Sequence, residues 1–246
     1  MKIIAVVQAR MGSTRLPGKV LMDLGGEPVL CRVVQRLRRA ATLADVVVAT
    51  TKSLKDEAIV RLCEERKINI FRGSEEDVLD RYYRTAEFYG CDAVARITSD
   101  CPLIDPGLVD EVIREFLNQR AEYASNVLQR TYPRGLDTEV FTMAALNEVW
   151  RTAAEPHQRE HVTPRFYERP DLFRLALVRG KEDHSRYRWT LDTQDDLQLI
   201  RAIYSHFGNR DSFTWRDAID LMEQMPELHN INAHVMQKPV QESVAS

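Results

Sequence analysis

Three cations fall within ten residues near the amino terminus: Arg10, Arg15 and Lys19, in the stretch Gln8-Ala9-Arg10-Met11-Gly12-Ser13-Thr14-Arg15-Leu16-Pro17-Gly18-Lys19. The stretch directly follows the apolar run Ile3-Ile4-Ala5-Val6-Val7. Like charges at this density repel one another unless an anion joins them. Small residues, hydroxyls and backbone N–H groups at the end of a buried strand suit phosphate oxygens. Two aspartates stand after later apolar runs: Asp100 in Thr98-Ser99-Asp100-Cys101-Pro102, and Asp192 in Trp189-Thr190-Leu191-Asp192-Thr193-Gln194-Asp195-Asp196. Carboxylates and phosphate oxygens together are ligands for a hard divalent cation. The chemistry such a set could do is binding of phosphates and phosphoryl-type transfer, which needs positioning and charge neutralisation more than covalent help.

Each feature also has a plainer reading. Three cations could form a solvated basic turn. An Asp after a strand is commonly a turn or cap residue. Asp192 or Thr193 could cap a helix, with Asp195 or Asp196 in its first turn. Two known phosphate loops do not fit. In a Walker A loop, G-x-x-x-x-G-K-[ST], four residues part the glycines and a hydroxyl follows the lysine. Here five residues part Gly12 from Gly18, and Val20 follows Lys19. The dinucleotide fingerprint G-x-G-x-x-G is absent.

The elements that must carry these residues alternate. Residues 3–7, 45–50, 69–71 and 93–98 read as strands, and apolar residues at helical spacing follow each. On the first helix, Arg32, Arg36, Arg38 and Arg39 lie mostly off the apolar stripe and are expected on a solvated face. On the third, Tyr82 and Tyr83 are expected in the core. Strand–helix alternation implies right-handed crossovers and a mostly parallel sheet, with ligands beyond the carboxyl ends of its strands. That puts the basic loop and Asp100 at one edge. Further on, residues 143–153 read as a helix, 172–178 and 188–191 as strands, and 215–225 as the last helix.

Composition bounds the function. The chain has 246 residues, 44% hydrophobic and 29% charged, as in an ordinary α/β globule. Its net charge of −3 offers no field for nucleic acid. Cys31, Cys63, Cys91 and Cys101 have no paired metal spacing, and buried thiols in a reducing cytoplasm are expected. The apolar run at the start is too short for a signal segment or a membrane span. His157-Gln158-Arg159-Glu160-His161 spells the inverted zinc-peptidase motif H-x-x-E-H. A peptidase would leave the basic first loop without a role.

The first loop resembles the signature of the CMP-sugar synthetases, the cytidylyltransferases for sialic acids and Kdo, roughly A-R-x-G-S-x-R-x-P-x-K. Ala9-Arg10, Gly12-Ser13, Arg15, Pro17 and Lys19 match it. Gly73 to Tyr82 and Arg159 to Pro164 resemble the branch known as spore coat polysaccharide biosynthesis protein F. The resemblance implies a Rossmann-like three-layer α/β/α fold, the GT-A-like nucleotide-diphospho-sugar transferase fold. It implies one domain over 1–238, with a nucleotide half of about 1–120 and an acceptor half of about 121–238, and a flexible tail at 239–246.

The implied reaction is Mg²⁺-dependent transfer of CMP from CTP to an acidic sugar or phosphonate-like acceptor in surface polysaccharide synthesis. Ala9, Arg10, Gly12, Ser13, Arg15, Lys19 and Asp100 would bind the nucleotide. Arg10, Lys19, Asp100 and Asp192 would be catalytic, the two aspartates as metal ligands. Arg134, Asp137, Glu139, Arg159, His161 and Arg188 would face the acceptor, with an arginine on its carboxylate. Relatives of this kind often pair as homodimers. Two alternatives are a glycosyltransferase that consumes a nucleotide sugar and a non-catalytic nucleotide-binding pathway protein. Against the first, Asp100-Cys101-Pro102 lacks the second Asp of the usual D-x-D. Met11 also stands where the sialic-acid branch often has Gly.

Overall fold

The computed structural model describes residues 1–237. The chain opens with β1 (Ile3–Gln8), whose first five residues are buried, as a strand covered on both faces requires. After the basic loop come a short hairpin, β2 (Asp23–Leu24) and β3 (Glu27–Pro28), and α1 (Val29–Leu37). Then follow β4 (Asp45–Thr51), α2 (Glu57–Glu65), β5 (Asn69–Gly73), α3 (Val78–Tyr89), β6 (Ala93–Thr98) and α4 (Pro106–Asn118). The second half holds β7 (Tyr123–Ser125), β8 (Glu139–Thr142), α5 (Met143–Thr152), α6 (Pro156–His161), α7 (Pro164–Glu168), β9 (Leu175–Leu177), α8 (Gln194–His206), α9 (Trp215–Gln224) and α10 (Glu227–Asn230).

Seven of these strands form one sheet in the order β5-β4-β1-β6-β8-β7-β9. The first four are mutually parallel, and β8 runs antiparallel to both its neighbours. Alternate residues of β1 enter two cores, as the period of a strand dictates. Ile3, Ala5 and Val7 pack with apolar residues of α1, α4 and α8, whereas Ile4 and Val6 pack with those of α3 and α5. This is the mostly parallel α/β sheet that the alternation implies. The chain leaves β1 for β4 and β5 on one side and returns to β6 on the other, so the carboxyl ends of β1 and β6 border a crevice. Gln8 and Thr98, the last residues of those strands, lie side by side there.

Several local expectations are corrected. Arg32 and Arg36 are buried, not solvated. Arg36 donates to the carbonyls of Ile104, Asp211 and Phe213 at 2.6–3.0 Å and lies over the Phe213 ring. Three of its five donors are used on carbonyls that would otherwise lie bare. Residues 188–191 do not form a strand. Arg188 makes one bridge to Arg134, and Leu191 N then turns to Asp100 O at 2.8 Å. The strand over 172–178 shortens to β9, because Leu172 N closes a turn onto Arg169 O. The last helix is followed by α10. Tyr82 is fully buried, while Tyr83 is half-buried and stacks on Trp150 at 4.3 Å. The expected tail at 239–246 lies outside the described residues, among which no helix is long and apolar enough to cross a membrane.

Candidate active site

The basic loop is built from its own backbone and one buried carboxylate. Ala9 N extends the ladder of β1 by donating to Ala49 O at 3.1 Å. Met11 N donates to Asp56 Oδ1 at 2.7 Å, and Met11 O accepts from both Ser13 N and Gly18 N. Gly18 has φ +71°, a left-handed conformation that a β-carbon disfavours. It turns the chain into a 3-10 turn, Lys19–Leu21, and so aims the Lys19 side chain inward. Asp56 is buried in the turn between β4 and α2, and nothing in the loop's own sequence signals that it pins the loop.

Lys19, Asp100 and Asp192 meet although they are far apart in sequence. Lys19 Nζ donates to Asp100 Oδ2 at 2.8 Å, Asp192 Oδ1 at 2.9 Å and Leu191 O at 2.7 Å. Asp192 Oδ2 takes Arg15 at 2.8 Å and Arg188 at 2.7 Å. Burial alone would lower the Lys19 pKa, but Asp100 and Asp192 outweigh it and raise it. Burial would likewise raise Asp100, and the Lys19 ammonium holds that carboxylate below its ordinary value. In α8, Thr193 is the N-cap and Asp196 closes the capping box. The helix-capping role therefore belongs to Thr193 and Asp196, and Asp192 keeps both oxygens for cations.

A second shell of bonds sets Asp192 in place. Asp196 is fully buried and accepts from Arg188 Nε at 3.0 Å, Asp192 N at 2.9 Å and Asn232 Nδ2 at 2.8 Å. Asn232 also donates to Arg188 O, and Gln237 accepts from Arg188 at 2.7 Å. The segment after α10 thus holds the arginine that holds Asp192.

The cluster opens on a cavity of about 570 Å³. Ala9, Arg10, Gly12, Ser13, Arg15, Lys19, Asp100, Asp192 and His161 all line it. Sequence reasoning assigned no role there to Gln8, Glu160, Gln237 or Arg81. Arg81 is buried, with NH1 on Ser74 O at 2.7 Å. Burial, together with nearby Arg10, lowers its pKa. A β-carbon on Gly73 would come within 2.8 Å of Arg81 Cγ, so that glycine makes room for it. Among the described residues, neither Arg10 nor Arg81 has a carboxylate partner. Glu75, Glu76 and Glu160 line the same cavity, but none of them pairs with either guanidinium, which leaves both available to an anion.

The residues expected at the acceptor divide. His161 lines the cavity, but Arg134, Asp137, Glu139, Arg159 and Arg188 do not. Asp137 is held by Arg130 at 2.5 and 2.9 Å, and Glu139 is buried with Arg96 and Tyr123. Arg159 bonds Asp77 and the Trp150 carbonyl. Arg134 is half-buried beside the like charges of Arg130 and Arg188, and with burial they lower its pKa. In the H-x-x-E-H stretch, His157 faces Glu168 at 2.7 Å on α7 while His161 reaches the cavity. Among the described residues no three His, Cys, Asp or Glu side chains converge on one point. Asp100 and Asp192 are two hard donors that already share one cation. That set suits a small divalent ion whose remaining ligands are water and phosphate oxygens.

The sheet and the cation-lined cavity beyond its strand ends suit a nucleotidyltransferase. A family profile described as cytidylyltransferase matches residues 4–230, and the chain belongs to that family. An uncharacterized protein of Methanocaldococcus jannaschii is 42% identical over 246 residues, covering 98% of this chain and 99% of its own. Spore coat polysaccharide biosynthesis protein SpsF of Bacillus subtilis is 34% identical over 232 residues, covering 92% and 95%. A solved cytidylyltransferase from Leptospira borgpetersenii superposes with a TM-score of 0.89 at 34% identity, covering 93% of this chain and 96% of that one.

Proposed function

We propose that the protein transfers CMP from CTP to an acidic sugar or related acceptor, with release of pyrophosphate, in surface polysaccharide or glycoconjugate synthesis. The observation that carries this reading is the meeting of Lys19, Asp100 and Asp192 at one end of a cavity also lined by Arg10, Arg15 and Arg81. A triphosphate brings about four negative charges at neutral pH, and these cations answer them. The acceptor oxygen forms a bond to the α-phosphorus while the bond to the β-phosphate oxygen breaks, and the acceptor's hydroxyl proton is released. Lys19 steadies the charge that develops near the α-phosphate. Arg10 and Arg15 hold the departing pyrophosphate. Asp100 and Asp192 would hold Mg²⁺ together with phosphate oxygens, and the ion would draw off charge and acidify the acceptor hydroxyl.

The nucleotide is served mainly by residues before about 120, and the acceptor by the later half, from which His161 reaches the cavity. Among the other acceptor candidates, Arg188 acts by positioning Asp192 through its 2.7 Å bond to Oδ2. The test offers CTP, Mg²⁺ and a panel of acidic sugars and phosphonates. The reading expects pyrophosphate and a CMP adduct with CTP in preference to other triphosphates. Transfer of sugar from a nucleotide sugar without pyrophosphate release would favour a glycosyltransferase instead.

A further inference from the structure

The Lys19 ammonium stands where the two carboxylates point. Its three protons are all used, on Asp100 Oδ2, Asp192 Oδ1 and Leu191 O, at 2.7–2.9 Å. The side chain is only 11% exposed. Asp192 Oδ2, the remaining oxygen of that carboxylate, already takes Arg15 and Arg188. Around this point three positive side chains (Lys19, Arg15 and Arg188) face three negative ones (Asp100, Asp192 and Asp196). The cluster is therefore neutral without any ligand. A divalent cation arriving alone would make it doubly positive and would strip a buried ammonium of two acceptors. Nothing else in the cluster replaces them.

We propose that Lys19 keeps Asp100 and Asp192 closed to a divalent cation until a triphosphate arrives, so that metal and nucleotide bind as a coupled pair. This rests on the cytidylyltransfer reading. The geometry supplies both positions of the switch. Lys19 lines the cavity and sits on a flexible four-carbon stem, so its ammonium can turn from the carboxylates to phosphate oxygens. The phosphates give it new acceptors as they supply the charge that makes the metal welcome. Coupling of this kind is reciprocal: the nucleotide raises metal affinity by the factor by which the metal raises nucleotide affinity. It also guards the empty enzyme against cytosolic cations that have no nucleotide to bring.

The test measures Mn²⁺ binding by electron paramagnetic resonance, with the full chain and no acceptor, in the absence and presence of α,β-methylene-CTP. Lys19→Met should bind Mn²⁺ without nucleotide at least about tenfold more tightly than wild type. The analogue should tighten wild type by roughly 5- to 150-fold, and the variant far less. Lys19→Arg, which keeps the charge, should exclude Mn²⁺ as wild type does. Mn²⁺ alone should raise the melting temperature of Lys19→Met and leave that of wild type unchanged. Equal nucleotide-free affinities in wild type and Lys19→Met overturn the proposal, as does tight nucleotide-free binding by Lys19→Arg. If Asp100→Asn in the Lys19→Met background leaves Mn²⁺ binding intact, the metal assignment in the reading itself is what fails.

Discussion

Two buried ionic clusters lie a few residues apart along the chain of β6, and they differ in what they face. On β6 and β8, Arg96 pairs with its register partner Glu139, and Tyr123 of β7 donates to the same carboxylate at 2.5 Å. Burial and the adjacent Glu139 push the Tyr123 hydroxyl well above its ordinary pKa, so it stays a donor. That cluster does not line the cavity. Beyond the end of β6, Asp100 joins Lys19 and Asp192 at the cavity wall. The first cluster pairs its charges internally and fixes the sheet where its direction reverses. The second is also neutral, but its members can exchange partners with a ligand. Burial of charge alone does not mark an active site; burial beside an open volume does.

The comparison breaks most sharply at Asp100. Asp100→Asn should lower turnover of CTP by about 10³-fold, since aligning and neutralising the phosphates supplies several kcal/mol. Its melting temperature should fall less than that of Glu139→Ala, because Lys19 keeps Asp192 and Leu191 as acceptors. Steady-state kinetics beside thermal melts would check both halves. Glu139→Ala should do the reverse. It strands the Arg96 guanidinium in the sheet, and urea unfolding should show a loss of about 3–5 kcal/mol. The part that still folds should bind CTP normally.

Asn232→Ala tests the link between the segment after α10 and Asp192. It removes one donor to fully buried Asp196 and should cost about 1–3 kcal/mol of stability. Turnover should fall roughly tenfold, because Arg188 and Asp196, which hold Asp192, lose the bonds Asn232 makes to them. Asn232→Asp should not rescue it, because a second carboxylate beside Asp196 repels the first.

The smallest effect is on pH. Asp100 and Asp196 are held below their ordinary value of 3.8, so their share of stability is complete above that value and lost as pH falls below it. Lys19 is raised above 10.5, so its share is complete below that value and lost as pH rises through its folded pKa. Melting temperatures should show no pH dependence from this cluster between about pH 5 and 9.5. A titration step in that window would contradict the pairing.

Much of the first half was legible because its signals are local. Buried runs such as Ala93–Thr98 and the apolar spacing of α3 and α4 belong to single elements, and parallel alternation follows from them. The loop with Arg10, Arg15 and Lys19 was legible because its density of charge is unusual after a buried strand. What stayed hidden depends on contacts across the chain. Arg32 and Arg36 look like a solvated face until residues 204–213 arrive to bury them. Asp56 pins the basic loop from 45 residues away. Residues 188–191 have the composition of a strand, yet Gly135 brings the backbone so close to Trp189 that a β-carbon would lie 2.6 Å from its carbonyl oxygen. The pairing ends after one bridge as Leu191 N turns to Asp100 O. Arg81 has the spacing of a helix surface residue, and only the path of Gly73 turns it into a wall of the cavity.

The central claim is that the basic loop and two distant aspartates grip one metal-bound triphosphate. The most direct measurement is a crystal structure with Mn²⁺ and α,β-methylene-CTP, read by anomalous scattering. The account predicts a metal peak about 2.1 Å from carboxylate oxygens of both Asp100 and Asp192, with Lys19 Nζ, Arg10 and Arg15 on phosphate oxygens. A metal bound away from both aspartates, or phosphates out of reach of Arg10 and Lys19, would contradict it.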